Sequence, residues 1–260
     1  MSKTYIFLRQ SPDWKSISDS EFRKQSREFC ALMGRPPEQV NLSADLWNKT
    51  FKRSFIDIRQ EIKEIALSNF AMVEDAELFN GLEPPESLVS EKSFYFFTDD
   101  DDWVHPKITS LLANVDHSDQ VGGIVWGSVA FGTHREKIIV RRNIDGYCFT
   151  NNYAITGQYL AKTPENFITV SQHGGADGFL ESRNSKKIIN EYWSVTNKNP
   201  TSTIFLEQLL KGDFSSQQKL SSGVECYVHR CKQIDLEIDG SLEWARPLMD
   251  RMLGIFSELL

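Results

Sequence analysis

Two short blocks of the chain, residues 4–8 and 93–98, are apolar and β-prone at almost every position, and each predicts a buried strand. After the first, Arg9-Gln10-Ser11-Pro12 turns the chain away. Ser18 and Glu21 then form an S-x-x-E capping pattern. Phe22, Phe29, Leu32 and Met33 follow on one helical face, and Gly34-Arg35-Pro36-Pro37 stops that helix. Over residues 50–73, Phe51, Phe55, Ile58, Ile62, Ile65, Ala66 and Phe70 recur at helical spacing, which predicts a core-facing helix. Glu83-Pro84-Pro85-Glu86 reads as a loop before the second block. His105-Pro106 suits the start of a helix through Ile108, Leu111 and Leu112, with proline in its first turn.

The middle of the chain changes period. Residues 121–131, 137–141 and 147–156 predict strands separated by glycine and charged turns, and Gly122-Gly123 and Gly127 would admit a closely approaching backbone or ligand. Residues 167–171 read as another short strand, leading into the glycine-rich polar loop Gln172-His173-Gly174-Gly175-Ala176-Asp177-Gly178. Helices are expected over 186–193, 201–210 and 242–260. Leu248, Met249, Met252, Phe256, Leu259 and Leu260 form the apolar face of the last. Only Arg246 and Arg251 would offer it charge for a membrane surface, so core docking or pairing of two chains is the expectation. The whole is an α/β pattern, with strand and helix alternating first, a strand-rich middle, and helices last.

Composition narrows this little. With 260 residues, 40% hydrophobic and 25% charged, the chain suits one domain with an ample core. A net charge of −7 and the lack of a basic tract argue against nucleic acid as a partner. That charge also means that a phosphorylated ligand needs a metal or local arginines. Cys30, Cys148, Cys226 and Cys231 form no CxxC pair, so zinc is unsupported and reduced thiols in a cytoplasmic protein are expected. The apolar stretch after Met1 is too short for a signal peptide or a membrane span.

The candidate chemistry sits where the second block ends. Phe94-Tyr95-Phe96-Phe97-Thr98 runs directly into Asp99-Asp100-Asp101-Asp102. Four adjacent like charges repel, and aspartate suits neither strand nor helix. A hard cation such as Mg²⁺ or Mn²⁺ relieves that repulsion through oxygen ligands. In open α/β sheets ligands bind beyond the carboxyl ends of strands. A solvated acidic turn is the other reading.

The segment from Phe96 to Pro106 resembles glycosyltransferases of the GT-A type, whose Asp-x-Asp motif ends a central strand. Asp99/Asp101 and Asp100/Asp102 both match it. The run Asp99-Asp100-Asp101-Asp102-Trp103-Val104-His105-Pro106 is similar to bacterial rhamnosyltransferase-like enzymes of polysaccharide synthesis. Ile6-Phe7-Leu8-Arg9 resembles their first strand, which also ends in arginine. The resemblance implies a GT-A-like three-layer sandwich with a central mixed sheet and a mainly helical C-terminal part. It implies a single domain over residues 1–260, with a nucleotide-sugar half at about 1–115 and an acceptor half at about 116–260. It implies transfer from a nucleotide-diphosphate-sugar to a saccharide acceptor with Mn²⁺ or Mg²⁺, and favours inversion.

On that resemblance, Asp101 meets the metal, Asp99 meets metal or ribose, and Asp100 and Asp102 share these roles without being separable. Arg9 contacts the nucleotide or its phosphates, or is a surface arginine at a turn. The general base is assigned to Asp177, with Asp145 and Glu181 competing. His173 completes the metal shell or binds the donor phosphates, His229 is a weaker version of the same idea, and His105 is a turn or cap residue beside the site. Residues 147–153 mix aromatic rings with amides and hydroxyls, as carbohydrate sites do, which makes Asn151 and Asn152 sugar-contact candidates or simply a polar turn.

Two other classes compete. A phosphoryl or nucleotidyl transferase could use the same aspartates, but no G-x-x-x-x-G-K-[ST] loop is present. A calcium-binding or interaction protein of the EF-hand kind would need a glycine where Trp103 and Val104 follow. A serine hydrolase is excluded in pattern, since no G-x-S-x-G occurs.

Overall fold

The structure, a computed structural model, describes residues 2–9, 14–32, 36–83, 93–116, 121–132, 139–141, 146–149, 151–172, 175–181, 186–199, 201 and 240–258. Among them eight strands form one mixed sheet. These are β1 (Lys3–Arg9), β2 (Ala76–Asn80), β3 (Ser93–Asp99), β4 (Trp103–Val104), β5 (Gly123–Gly132), β6 (Ile139–Arg141), β7 (Tyr153–Thr156) and β8 (Lys186–Lys198). The order is β2-β1-β3-β7-β5-β8-β4, with β6 paired to β5. β1 runs parallel to both β2 and β3, whereas β7 is antiparallel to β3 and β5. The α/β class with a central mixed sheet is the one expected.

The chain divides into two compact units. The first holds residues 1–10, 67–129 and 140–196 and carries most of the sheet. Its strands β1 and β3 are apolar throughout because both faces are covered, the condition under which parallel strands lose their polar alternation. On one face Phe7 packs against Phe97 (centroids 5.4 Å), Phe79 (4.8 Å) and Phe167 (5.1 Å), joined by Tyr95, Val125, Tyr153, Ile155, Leu160 and Leu180. On the other, Phe96 meets Trp126 at 5.7 Å and Trp126 meets Trp193 at 5.6 Å. Each such ring contributes about 1.5–3 kcal/mol by burial. Helices α4 (Ile108–Ala113), α5 (Gly157–Lys162), α6 (Phe167–Ser171) and α7 (Gly175–Glu181) belong to this unit.

The second unit holds residues 11–66, 130–139 and 197–260. It contains α1 (Asp19–Leu32), α2 (Gln39–Thr50), most of α3 (Phe55–Phe70) and α8 (Arg246–Ser257). Ser18 caps α1 as expected, its Oγ accepting from the Glu21 amide at 3.3 Å. Ser54 does the same for α3, accepting from the Asp57 amide at 3.1 Å. Leu248, Met249, Met252 and Ile255 on α8 are buried within the chain, as core docking requires.

Several expectations are corrected. Residues 186–193 are not helical but form the start of β8, because strands on either side supply backbone partners. The β-prone set Ile188, Ile189, Tyr192 and Trp193 suits that role. Residues 167–171 are a helix rather than a strand. Pro164 opens a 3-10 turn just before it, Phe167 and Val170 point inward three apart, and Ile168 and Thr169 face outward. The strand expected at 147–156 is confined to Tyr153–Thr156, since Gly146 takes a left-handed φ of 70° just before an irregular segment. The helix expected over 50–73 starts only at Phe55. A separate helix, α2, precedes it, with Val40, Ala44 and Trp47 buried at helical spacing. Gly127 does admit a backbone: a Cβ there would lie 3.0 Å from the Glu191 carbonyl oxygen of β8. The helix expected at 201–210 lies outside the described residues beyond Thr201.

Phe97 touches rings from three other segments and is fully buried, whereas Leu78 on β2 is 42% exposed. Phe97→Ala is expected to cost about 3–5 kcal/mol, and Leu78→Ala less than about 0.5 kcal/mol. Urea unfolding of the two variants checks the difference.

Candidate functional site

β1 and β3 end side by side, and their parallel register places Arg9 opposite Asp99. Beyond Asp99 the chain reverses at once: the Asp102 amide donates to the Asp99 carbonyl at 3.3 Å, and Trp103 and Val104 then pair antiparallel with β8. This tight turn gathers one carboxylate oxygen each from Asp99, Asp101 and Asp102 within 4.8 Å of one another. Asp102 is buried, and Asp99 and Asp101 are half-buried. Asp100 is also buried and lies outside this group. Of the two Asp-x-Asp pairs, the structure brings together Asp99 and Asp101 and adds Asp102.

Three carboxylates at this spacing fit a hard divalent cation. Mg²⁺ and Mn²⁺ take oxygen ligands and commonly keep coordination positions for water or substrate phosphate. Holding the three oxygens this close without a counter-charge is unfavourable, since two unit charges 4 Å apart interact by about 4 kcal/mol at an effective dielectric of 20.

One counter-charge is built in. Arg9 is only 3% exposed, so it is not a surface arginine. Its Nε donates to Asp99 Oδ1 at 2.7 Å, Nη1 to the Ser171 carbonyl at 2.8 Å and Nη2 to the Phe97 carbonyl at 3.5 Å. Burial opposes its charge, but the carboxylate of Asp99 and the neighbouring Tyr153 hydroxyl outweigh that and hold its pKa above the ordinary arginine value. Tyr153 is buried in turn, with its hydroxyl donating to the Val170 carbonyl at 2.7 Å. Burial pushes its pKa up to about 12, against the pull of the Arg9 charge. Neither Tyr153 nor the Ser171 carbonyl was singled out in sequence: a tyrosine in an apolar strand and a main-chain oxygen carry no local signal.

The turn's other flank rests on Asn69, near the end of α3. Its Oδ1 accepts from the Val104 amide at 2.8 Å and its Nδ2 donates to the Val104 carbonyl at 3.0 Å. His105 follows, half-buried, its amide donating to the Trp193 carbonyl at 2.8 Å and its Nδ1 accepting from the Lys107 amide at 3.0 Å. Burial and then Lys107 lower its pKa, against Glu191, so it is a neutral turn residue beside the site, as expected.

Asn151 and Asn152 are not available to a sugar, which corrects the expectation for both. Each is fully buried. Asn151 donates to the Val195 carbonyl at 3.0 Å and accepts from Thr196 Oγ1 at 3.0 Å. Asn152 donates to the carbonyls of Trp126 (2.9 Å) and Tyr147 (3.0 Å) and accepts from the Phe149 amide at 2.5 Å. Both amides satisfy main-chain groups that the irregular segment before β7 leaves over. Asp177 lies in the helix α7 rather than in a loop, where Gly175 is required because a Cβ would fall 1.9 Å from the Thr169 carbonyl oxygen. The side chains of Asp177 and Glu181 lie outside the described residues, as do His173, Asp145 and His229 entirely. Among the described residues no helix is long and apolar enough to cross a membrane.

Asn152→Ala removes the partner of one buried main-chain group and of two part-buried ones and is expected to destabilise the protein by about 1–3 kcal/mol, the cost of a buried group left unpaired, read by urea unfolding; a sugar-contact residue on the surface would change it little. Tyr153 is protonated in the folded state up to about pH 12, whereas an unfolded tyrosine ionises near 10.0, so folding loses stability as pH rises between the two. Tyr153→Phe is expected to flatten that fall by roughly 2 kcal/mol, at about 1.4 kcal/mol per pH unit, in unfolding curves from pH 9 to 12.

Compared with known proteins, the sequence matches no family model and no curated protein. Among solved structures it is similar to residues 1–349 of S. aureus TarS in complex with UDP-GlcNAc, with a TM-score of 0.35 and 12% sequence identity over 100% of this chain and 84% of that one.

Proposed function

We propose that the protein is a metal-dependent glycosyltransferase that moves a sugar from a nucleotide-diphosphate-sugar to a saccharide acceptor in the cytoplasm, in bacterial surface polysaccharide synthesis. The observation that carries this reading is the convergence of the Asp99, Asp101 and Asp102 carboxylates beyond the carboxyl end of a central parallel strand. That is where α/β sheets bind ligands. The sequence resemblance to GT-A enzymes points to the same residues.

Asp99, Asp101 and Asp102 hold Mn²⁺ or Mg²⁺ in this reading, with Asp101 the main ligand. When bound, the cation neutralises charge on the leaving nucleoside diphosphate. The carboxylates orient it and exclude an anionic ligand that arrives without it. Asp100, whose carboxylate lies outside the group of three, stays assigned to the donor nucleotide. Arg9 uses its donors on Asp99 and on main-chain oxygens, so it sets the carboxylate's direction. Asp177 remains the proposed base that takes the acceptor hydroxyl's proton in an inverting transfer, and His173 the proposed partner of the metal or donor phosphates.

Thermal shift with uridine, guanosine, cytidine and deoxythymidine diphosphates, with Mn²⁺ or with chelator, tests this. One nucleotide at a hundredfold excess over its Kd should stabilise by about 2.7 kcal/mol, a rise of roughly 5–10 °C in Tm for a chain of this size. The rise should need Mn²⁺ and vanish in Asp101→Ala. No shift with any nucleotide in folded protein overturns the transferase, and a response to Ca²⁺ alone would make the turn a calcium site.

A further inference from the structure

Val104 is completely buried in a two-residue strand at the edge of the sheet. Its neighbours Trp103 and His105 are engaged by β8: Trp103 is registered with Val195, and the His105 amide donates to the Trp193 carbonyl. Alternate residues of a strand point their main-chain groups to opposite edges. Val104 therefore turns its N–H and C=O away from β8, toward the side where the described residues supply no further strand. Buried main-chain groups must be bonded. Asn69 supplies both partners from one side chain, its carboxamide standing in for the peptide of a missing strand. An unbonded asparagine that is 0% exposed on the buried face of a helix would be costly, and these two bonds remove that cost.

The acidic turn is thus held from two sides. Arg9 grips its first residue, tying Asp99 Oδ1 to the main chain at Phe97 and Ser171. Asn69 grips the strand that leaves it, two residues beyond Asp102. Between these points the hydrogen bond from the Asp102 amide to the Asp99 carbonyl closes the reversal. Neither residue belongs to the group of oxygens within 4.8 Å. Both act on the positions of those that do.

We infer that Arg9 and Asn69 are positioning residues that preorganise Asp99, Asp101 and Asp102 for a divalent cation, Asn69 by completing the edge of β4 and Arg9 by fixing the Asp99 carboxylate. The inference rests on the reading of the turn as a cation site. Supporting groups outside a metal's own ligands commonly change its affinity by about 10–100-fold. Preorganisation predicts that loss in protein that is still folded. A purely structural role predicts a lower Tm with unchanged affinity in the folded protein.

The test measures Mn²⁺ affinity of the full chain by electron paramagnetic resonance of free Mn²⁺, at a temperature where circular dichroism shows each variant folded. Asn69→Ala removes both bonds to Val104, and Asn69→Asp keeps the acceptor for its amide while losing the donor. Arg9→Lys keeps the charge but loses the fork that ties Asp99 to Ser171 and Phe97. The expected result is Mn²⁺ affinity about 10-fold or more weaker in Asn69→Ala and in Arg9→Lys, with Asn69→Asp between Asn69→Ala and wild type. If Asn69→Ala does not fold, Asn69→Asp and Arg9→Lys carry the comparison. Wild-type affinity in the folded variants overturns the inference while the cation site stands. Wild-type protein that binds no Mn²⁺ overturns the cation site itself, and the inference with it.

Discussion

Repulsion among the carboxylates of Asp99–Asp102 is the constraint around which the carboxyl end of β3 is arranged. Two unit charges 4 Å apart interact by about 4 kcal/mol at an effective dielectric of 20, a scale comparable with the total stability of about 5–15 kcal/mol for a typical domain. The fold meets it in part with the Arg9 guanidinium, brought opposite Asp99 by the parallel register of β1 and β3. A buried guanidinium is itself expensive unless every direction in which it donates finds an acceptor. The main-chain oxygens of Phe97 and Ser171 provide them. The last turn of α6 is therefore part of the site's electrostatics, although it contributes only a carbonyl.

The aromatic packing beneath the turn makes that arrangement rigid. Phe7, Tyr95 and Phe97, in the same strands as Arg9 and Asp99, form one cluster with Phe167 of α6. Tyr153 joins it through Phe97 and places its hydroxyl between Val170 and Arg9. Dense interiors deform little, so the ends of β1 and β3 hold their spacing. A flexible surface loop of the same composition would spread its charges into water instead. The distinction between an acidic turn and a candidate metal centre is this rigidity, and it comes from residues that carry no charge.

Much of this was legible in the chain. The strands at 4–8 and 93–98, the capped helix after Ser18 and the helix after Pro106 follow from periodicity and caps, and they stand where expected. The short segments failed where local preference was ambiguous. Phe167-Ile168-Thr169-Val170-Ser171 is β-prone, yet the 3-10 turn begun by Pro164 leads it into a helix. Lys186–Trp193 has a helix-like spread of charges, yet it is drawn into the sheet because β4 and β5 need a partner. Asn151 and Asn152 look like exposed sugar contacts and are buried ligands of the main chain, because amides that bind hydroxyls bind peptides equally well.

By itself, the sequence determined the α/β class and the position of the acidic turn at the end of a buried strand. Those follow from period and composition, both of which are local. Tertiary structure alone decided which aspartates converge, that Arg9 faces inward rather than toward solvent, and that Asn69 completes the edge of β4. The last two depend on residues 35 to 162 positions apart meeting in space. No local preference encodes such a meeting, because register and packing select it only once the sheet has formed.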